Sequence, residues 1–206
     1  VSMARNTSPI VKRSRRLGIV LGKEKFARRR TYPPGVHGPK QSVGRIRMSA
    51  YGEQLREKQK AKALYGVLEK QFRRYFGKAS KTRGNTAETL VKILETRLDN
   101  VVYRLGWAKT RRQARQMVNH GFVTVNGKKV DVASYEVKIG EEVSIKESKL
   151  EKGIIKGIPE AMKVGTLPKW LARDDKTLKG KMIALPEGDD LEQGFDATLI
   201  VEFYSR

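Results

Sequence analysis

Thr110-Arg111-Arg112-Gln113-Ala114-Arg115-Gln116 sets three guanidiniums within five residues. On a helix, Arg111 and Arg115 stand four apart and are expected to share an outward face, with Arg112 and Gln116 beside them. Thr110 is a helix-capping type, so these arginines mass at a helix start, where the dipole and free backbone donors favour an anion. Planar guanidinium forks take phosphate oxygens two at a time, so the chemistry on offer is a grip on phosphates. Catalytic chemistry has far less to work with. The chain holds two histidines, His37 and His120, and no cysteine. It contains no Gly-rich loop ending in Gly-Lys-Ser/Thr and no His/Cys metal-ligand spacing.

Arginines of this kind need a rigid mount. The run Arg97 to Gly106 reads as a helix with Leu98, Val101, Val102 and Leu105 on one face. The helix after Thr110 turns Ala114, Met117 and Val118 inward and ends at Gly121. Phe122 to Val125 and Lys128 to Val132 then flank Asn126-Gly127, a two-residue hairpin signal, because both turn residues must tolerate positive φ. A further strand is expected over about Glu142 to Lys146. The package is two short helices on a small antiparallel sheet.

Upstream, residues 49–79 follow a helical pattern. Tyr51, Leu55, Lys58 and Lys62 lie on one side and Ala61, Leu64, Leu68, Phe72 and Phe76 form an apolar stripe, with Gly66 separating two helices. Arg56, Lys60, Arg73 and Arg74 fall on exposed faces among Tyr51, Tyr65 and Tyr75. Aromatics at this spacing are more often core than base-stacking platforms. A third helix is expected from about Thr86 to Asp99, started by Thr86, Glu88 and Thr89. In residues 1–48, Tyr32-Pro33-Pro34-Gly35 and Gly38-Pro39 forbid one continuous helix, so this segment reads as an extended arm that orders against a partner. Residues 151–206 carry Trp170-Leu171, a Gly-and-acid loop from Pro186 to Gly194, and an expected strand over Leu199 to Phe203. This segment should pack back on the basic helices.

The elements read so far are α+β: basic helices, a helix-and-sheet module and a basic N-terminal arm.

Charge names the partner class. The 206 residues carry 44 Lys and Arg against 22 Asp and Glu, a net of +22, with a sequence pI near 10.3. Residues 1–83 alone hold 23 of the cations and four of the acids, a net of +19. Solvation of one surface gives no reason for acids to be missing from so long a stretch, whereas a polyanion does. An anionic membrane is the competitor to nucleic acid, but the longest N-terminal apolar stretch, Gly18-Ile19-Val20-Leu21-Gly22, is far too short to insert. No transmembrane or secretory segment is visible, and Met3-Ala4-Arg5 reads like a translation start behind Val1-Ser2. The lack of cysteine removes disulfides and suits a reducing compartment.

At the module the sequence becomes recognisable. Arg97-Leu98-Asp99, Arg104, Ala114-Arg115-Gln116 and Val125-Asn126-Gly127 resemble the S4 RNA-binding domain, a helix-helix-hairpin module. Pro33-Pro34-Gly35-Val36-His37-Gly38, Tyr51 through Gln59, Tyr65 through Phe72, Arg97 through Arg104 and Ile200-Val201-Glu202-Phe203-Tyr204-Ser205 resemble, in order and over nearly the whole chain, the bacterial type of the small-subunit ribosomal protein S4 (uS4) family. The resemblance implies a mainly helical domain with an inserted S4-type RNA-binding module, bounded at 1–48 for the arm, 49–96 for the helical domain completed by 151–206, and 97–150 for the module. It also implies a cytoplasmic, ribosome-bound, non-catalytic protein that binds small-subunit ribosomal RNA first. It would settle on a multi-helix junction of the 5′ domain, nucleate assembly beside proteins S3 and S5, and bear on translational accuracy. Many members carry a cysteine-rich zinc cluster in the arm. Ile10-Val11-Lys12-Arg13-Ser14-Arg15-Arg16 has none, so neither metal nor any other cofactor is carried over. Ala87 and Ala133 stand where members often have Gly and Pro.

The residues expected to touch ribosomal RNA are, in the arm, Arg5, Lys12, Arg13, Arg15, Arg16, Arg28, Arg29, Arg30, Tyr32 and His37. In the helical domain they are Tyr51, Gln54, Arg56, Lys58, Lys62, Tyr65, Gln71, Arg73 and Arg74. In the module they are Arg104, Lys109, Arg111, Arg112, Arg115, Gln116 and His120. By resemblance, a loop with Lys40, Arg45 and Arg47 faces the pore where messenger RNA enters. An RNA-modifying enzyme such as a pseudouridine synthase also carries this module, but it would need a separate catalytic domain with a buried aspartate in a large mixed sheet. A DNA-binding or chromatin protein would need a recognition helix free to enter a major groove.

Overall fold

Asn126 and Gly127 both hold positive φ, 48° and 77°, and so reverse the chain tightly between β1 (Val123–Val125) and β2 (Lys128–Lys129). In this computed structural model, which describes residues 8–30, 32–39, 48–150, 152–156, 158, 162, 167–175, 177–191 and 194–206, that hairpin is the edge of a five-stranded antiparallel sheet. Strands β3 (Glu142–Ile145), β4 (Leu171–Asp174) and β5 (Lys179–Met182) complete it in the order β2-β1-β3-β5-β4. The register pairs Val123 with Ile145, Val143 with Gly180 and Leu171 with Met182.

The fold is α+β, as expected. The chain divides into two units, residues 91–192 and residues 1–90 with 193–206. In the first, α6 (Leu98–Arg104) and α7 (Arg111–Asn119) pack on the sheet around Leu98, Val102, Leu105, Trp107, Met117, Val123, Val143 and Trp170. A Cβ on Gly180 would stand 2.6 Å from both methyls of fully buried Leu105, so glycine is what lets β5 approach α6. The N-terminus of α6 has no side-chain cap. Its first amides donate instead to carbonyls of the 133–135 turn, Leu98 N to Tyr135 O at 2.8 Å and Asp99 N to Ala133 O at 3.3 Å. The turn thus forms with alanine at position 133.

The second unit contains α1 (Ile10–Leu17), α2 (Glu24–Arg28), α3 (Ala50–Tyr65), α4 (Glu69–Ala79), the start of α5 (Thr86–Glu95) and α9 (Ala197–Tyr204). A short helix, α8 (Gly153–Lys156), belongs to the first unit. Gly66 closes α3 at φ 64°, which separates α3 from α4 as its position suggested.

Four elements depart from the sequence expectations, and β2 also stops at Lys129, short of the expected Val132. The arm is not extended throughout: α1 and α2 bury Ser14, Leu17 and Ala27, and Ser14 Oγ accepts from Leu21 N at 3.2 Å. The prolines that argued against helix begin only at residue 33. Residues 171–182 form a hairpin that extends the module's sheet, so only the stretch from 193 onward joins the helical unit. Asn85, not Thr86, caps α5, its Oδ1 accepting from Ala87 N at 3.0 Å, and that helix ends at Glu95 before a break at Thr96-Arg97.

The fourth departure is Leu199 to Phe203, which is helix and not strand. Its β-branched and aromatic composition favours strand locally, yet Asp196 Oδ1 caps Thr198 N at 2.7 Å and docking on α3 decides the outcome. Tyr51 packs tilted against Phe203 at 5.5 Å between centroids, Phe76 stacks on Tyr204 at 4.7 Å, and Ile200 is fully buried.

Glu69 ties this docking together, accepting from Lys62 Nζ at 2.6 Å, Tyr204 Oη at 2.7 Å and Lys58 Nζ at 3.1 Å. Partial burial opposes its charge, but these hydrogen bonds outweigh it and hold the carboxyl at about 2, while burial and Glu69 raise the Tyr204 phenol. A depressed carboxyl stabilises fully above its unfolded value of 4.5 and loses that contribution as pH falls toward 2. Glu69→Gln should therefore lower stability by about 1 kcal/mol near neutrality, a figure discounted for the half-exposed carboxylate. Thermal melts should show the two proteins converging near pH 2; a gap that persists there would refute the linkage.

Candidate nucleic-acid interface

Helix α7 begins with a reciprocal cap. Thr110 Oγ1 accepts from Gln113 N at 3.2 Å, and Gln113 Oε1 accepts from Lys109 N at 2.9 Å. With the start fixed, its apolar residues Ala114, Met117 and Val118 enter the core and the remaining faces are determined. Arg112 and Gln116, four apart, form the exposed face, with exposed Lys109 just before the cap and exposed His120 at the C-cap.

Arg111 and Arg115 are not on it. Arg111 Nε donates to Asn100 Oδ1 at 2.8 Å, its Nη2 lies 3.9 Å from Glu95 Oε1, and its guanidinium stacks 4.5 Å over the Tyr103 ring. Arg115 Nη1 lies 3.8 Å from Asp99 Oδ2. The outward pair expected from the sequence is thus turned toward carboxylates.

Those carboxylates are buried. Glu95, with no exposed side-chain surface, accepts both forks of Arg104 (2.9 and 2.8 Å) and Asn100 Nδ2 at 2.7 Å. Asp99 accepts Arg97 in the same two-pronged way, at 3.1 and 2.7 Å. Burial of either acid is tolerable only because each is paired and hydrogen-bonded. The network holds Arg104, Arg111 and Arg115 in set positions with part of each side chain reachable from solvent.

In the helical unit the expected contact residues sort by exposure. Lys12, Arg16, Arg28, Arg29, Arg30, His37, Tyr51, Arg56, Arg73 and Arg74 are exposed. Arg13, Arg15, Tyr32, Lys62 and Gln71 are partly buried. Arg15 is a staple, donating to Tyr32 O at 3.0 Å and Pro33 O at 3.3 Å. Gln54, Lys58 and Tyr65 are buried and serve the α9 docking: Gln54 Nε2 donates to Glu202 Oε2 at 2.9 Å, Lys58 Nζ sits 4.0 Å over the Phe203 ring, and Tyr65 meets Phe195 edge-on. Arg5, Lys40, Arg45 and Arg47 lie outside the described residues.

Comparison with known proteins adds to this geometry. A family model described as the Ribosomal protein S4/S9 N-terminal domain matches residues 5–95, and one described as the S4 domain matches residues 96–143. The small ribosomal subunit protein uS4 of Opitutus terrae is 49% identical over 205 residues, covering 99% of this chain and 100% of that protein. The chain belongs to the uS4 family. Proteins of the same name from Herpetosiphon aurantiacus and Roseiflexus castenholzii are 46% and 47% identical, again over 99% of this chain and the whole of each relative. The junction between the two matched family models, at 95/96, coincides with the break between α5 and α6, where Glu95 enters the buried network.

Sequence reasoning missed Glu95, Asp99 and Asn100 as the groups that position the arginines. The signal was present: an acid closing the apolar run Leu90-Val91-Lys92-Ile93-Leu94 has to find a cation inside.

Proposed function

We propose that this uS4-family chain is a structural, non-catalytic component of the small ribosomal subunit that binds its ribosomal RNA. The observation that carries the reading is the exposed set Lys109, Arg112, Gln116 and His120 along α7 and its two ends, backed by arginines that buried carboxylates hold in place. Pre-set cations lose little freedom on meeting phosphates, which favours a shaped RNA surface over an unstructured polyanion. The net of +19 over residues 1–83 supports a second, larger contact area.

In finer detail, the chain settles early on a multi-helix junction of the 5′ domain, lies beside proteins S3 and S5 in the cytoplasmic ribosome, and reaches toward incoming messenger RNA with Lys40, Arg45 and Arg47, with consequences for translational accuracy. Family membership supports these points. The deciding experiment is a filter-binding titration against the 5′-domain fragment of small-subunit ribosomal RNA, with an unrelated structured RNA of equal length as competitor. Binding that the competitor does not displace is expected. Equal affinity for both RNAs would remove the assembly role.

A further inference from the structure

Between α1 and α2 lies a groove of about 330 Å³ lined by Val11, Arg15, Lys23, Phe26, Arg29 and Arg30. We propose that it is a pocket for one unstacked RNA nucleotide, the base lying on Phe26 and its phosphate held by Lys23, Arg29 and Arg30. The proposal rests on the RNA-binding reading above and adds what that RNA must present.

Three observations converge on such a guest. Phe26 is 60% exposed, on a helix whose one buried residue is Ala27, so a large ring faces the groove where packing does not require it. An aromatic floor under a cationic rim matches a nucleobase with its phosphate, and the volume is at the small end of the roughly 300–1,000 Å³ usual for organic ligands. Among the described residues, none of those lining the groove is acidic. Glu24 is the only acid in residues 1–48, and Arg28, which is not among the groove-lining residues, engages it at 2.6 Å.

The walls are set rather than loose. Arg15 is fixed by the carbonyls of Tyr32 and Pro33 and by stacking 4.9 Å over the Tyr32 ring. Lys23 holds a left-handed backbone, φ 49° and ψ 52°, which a side-chain-bearing residue adopts only at an energetic cost. That conformation starts α2 and sets Lys23 at the groove beside the ring three residues on. Bulges and junctions of folded RNA supply unstacked bases, whereas a continuous duplex does not.

The test uses the full chain and two RNA hairpins identical except for one unpaired nucleotide. The wild-type protein is expected to prefer the bulged hairpin by about tenfold, the order of one base stacked on an aromatic ring. Phe26→Leu should erase the preference while leaving affinity for the paired hairpin and thermal stability unchanged, and Phe26→Tyr should keep it. A large excess of adenosine monophosphate should not abolish the preference; if it does, the pocket serves free nucleotides and the proposal fails. It also fails if wild type binds both hairpins equally, or if Phe26→Leu weakens both alike. Absence of binding to either hairpin would instead overturn the broader RNA-binding reading.

Discussion

Raising monovalent salt from about 50 to about 200 mM is expected to weaken binding to structured RNA by on the order of a thousandfold, the loss that follows from about six phosphate contacts. The structure bears on which cations count. Lys58 and Lys62 are bound to Glu69, Arg97 to Asp99 and Arg104 to Glu95, so these charges are already partly neutralised within the chain. Lys12, Arg16, Arg29, Arg30, Arg56, Arg73, Arg74, Lys109 and Arg112 remain exposed and exceed the number required. A plot of log affinity against log salt measures the contacts directly. Arg73→Ala with Arg74→Ala should reduce its slope by close to two contacts, while Lys58→Ala should leave the slope and instead lower stability. A flat salt response would end the electrostatic account.

Glu95→Ala is expected to destabilise the module by about 3 kcal/mol, at the lower end of what breaking a buried ion pair costs, since Arg104 keeps some access to water. The substitution takes the carboxylate away from three groups: the Arg104 fork, Asn100 Nδ2, which keeps the Glu95 backbone carbonyl at 2.9 Å, and the Arg111 guanidinium 3.9 Å away. Urea unfolding at constant m-value is the measurement. The exposed pair between Lys92 and Glu187 provides the contrast, and Glu187→Ala should change stability by less than about 0.5 kcal/mol. Glu95→Leu combined with Arg104→Met should recover most of the loss, because an apolar pair of similar volume has no charge to desolvate. RNA affinity should not recover with it if the network's purpose is to hold the arginines. A cost below about 1 kcal/mol for Glu95→Ala would mean that the network is incidental.

The legible parts of this chain were those where local chemistry and tertiary packing agree. The Asn126-Gly127 turn, the Gly66 break and the inward faces of α6 and α7 follow from φ preference and periodicity alone, and the structure has them. Two other elements depend on contacts far away in sequence. Ala197–Tyr204 carries a strand-like composition and becomes helix against α3, and residues 171–182 complete a sheet begun at residue 123. In the site, periodicity correctly grouped the arginines of α7 but placed the wrong ones outward. Arg111 and Arg112 differ by about 100° around a helix, and only the position of Glu95 and Asp99, invisible to a local window, decides which of them faces in.

The docking of α9 on α3 also sets an order of events during synthesis. Gln54 and Glu202 are 148 residues apart, and the whole 91–192 unit is translated between them. The helical unit must therefore wait, its Tyr51 and Phe76 rings uncovered, while the intervening unit has all it needs to fold first. A chain truncated before residue 197 would keep nearly all of its cationic surface and lack the helix that closes it. Such a fragment would be basic enough to capture RNA yet open to proteolysis.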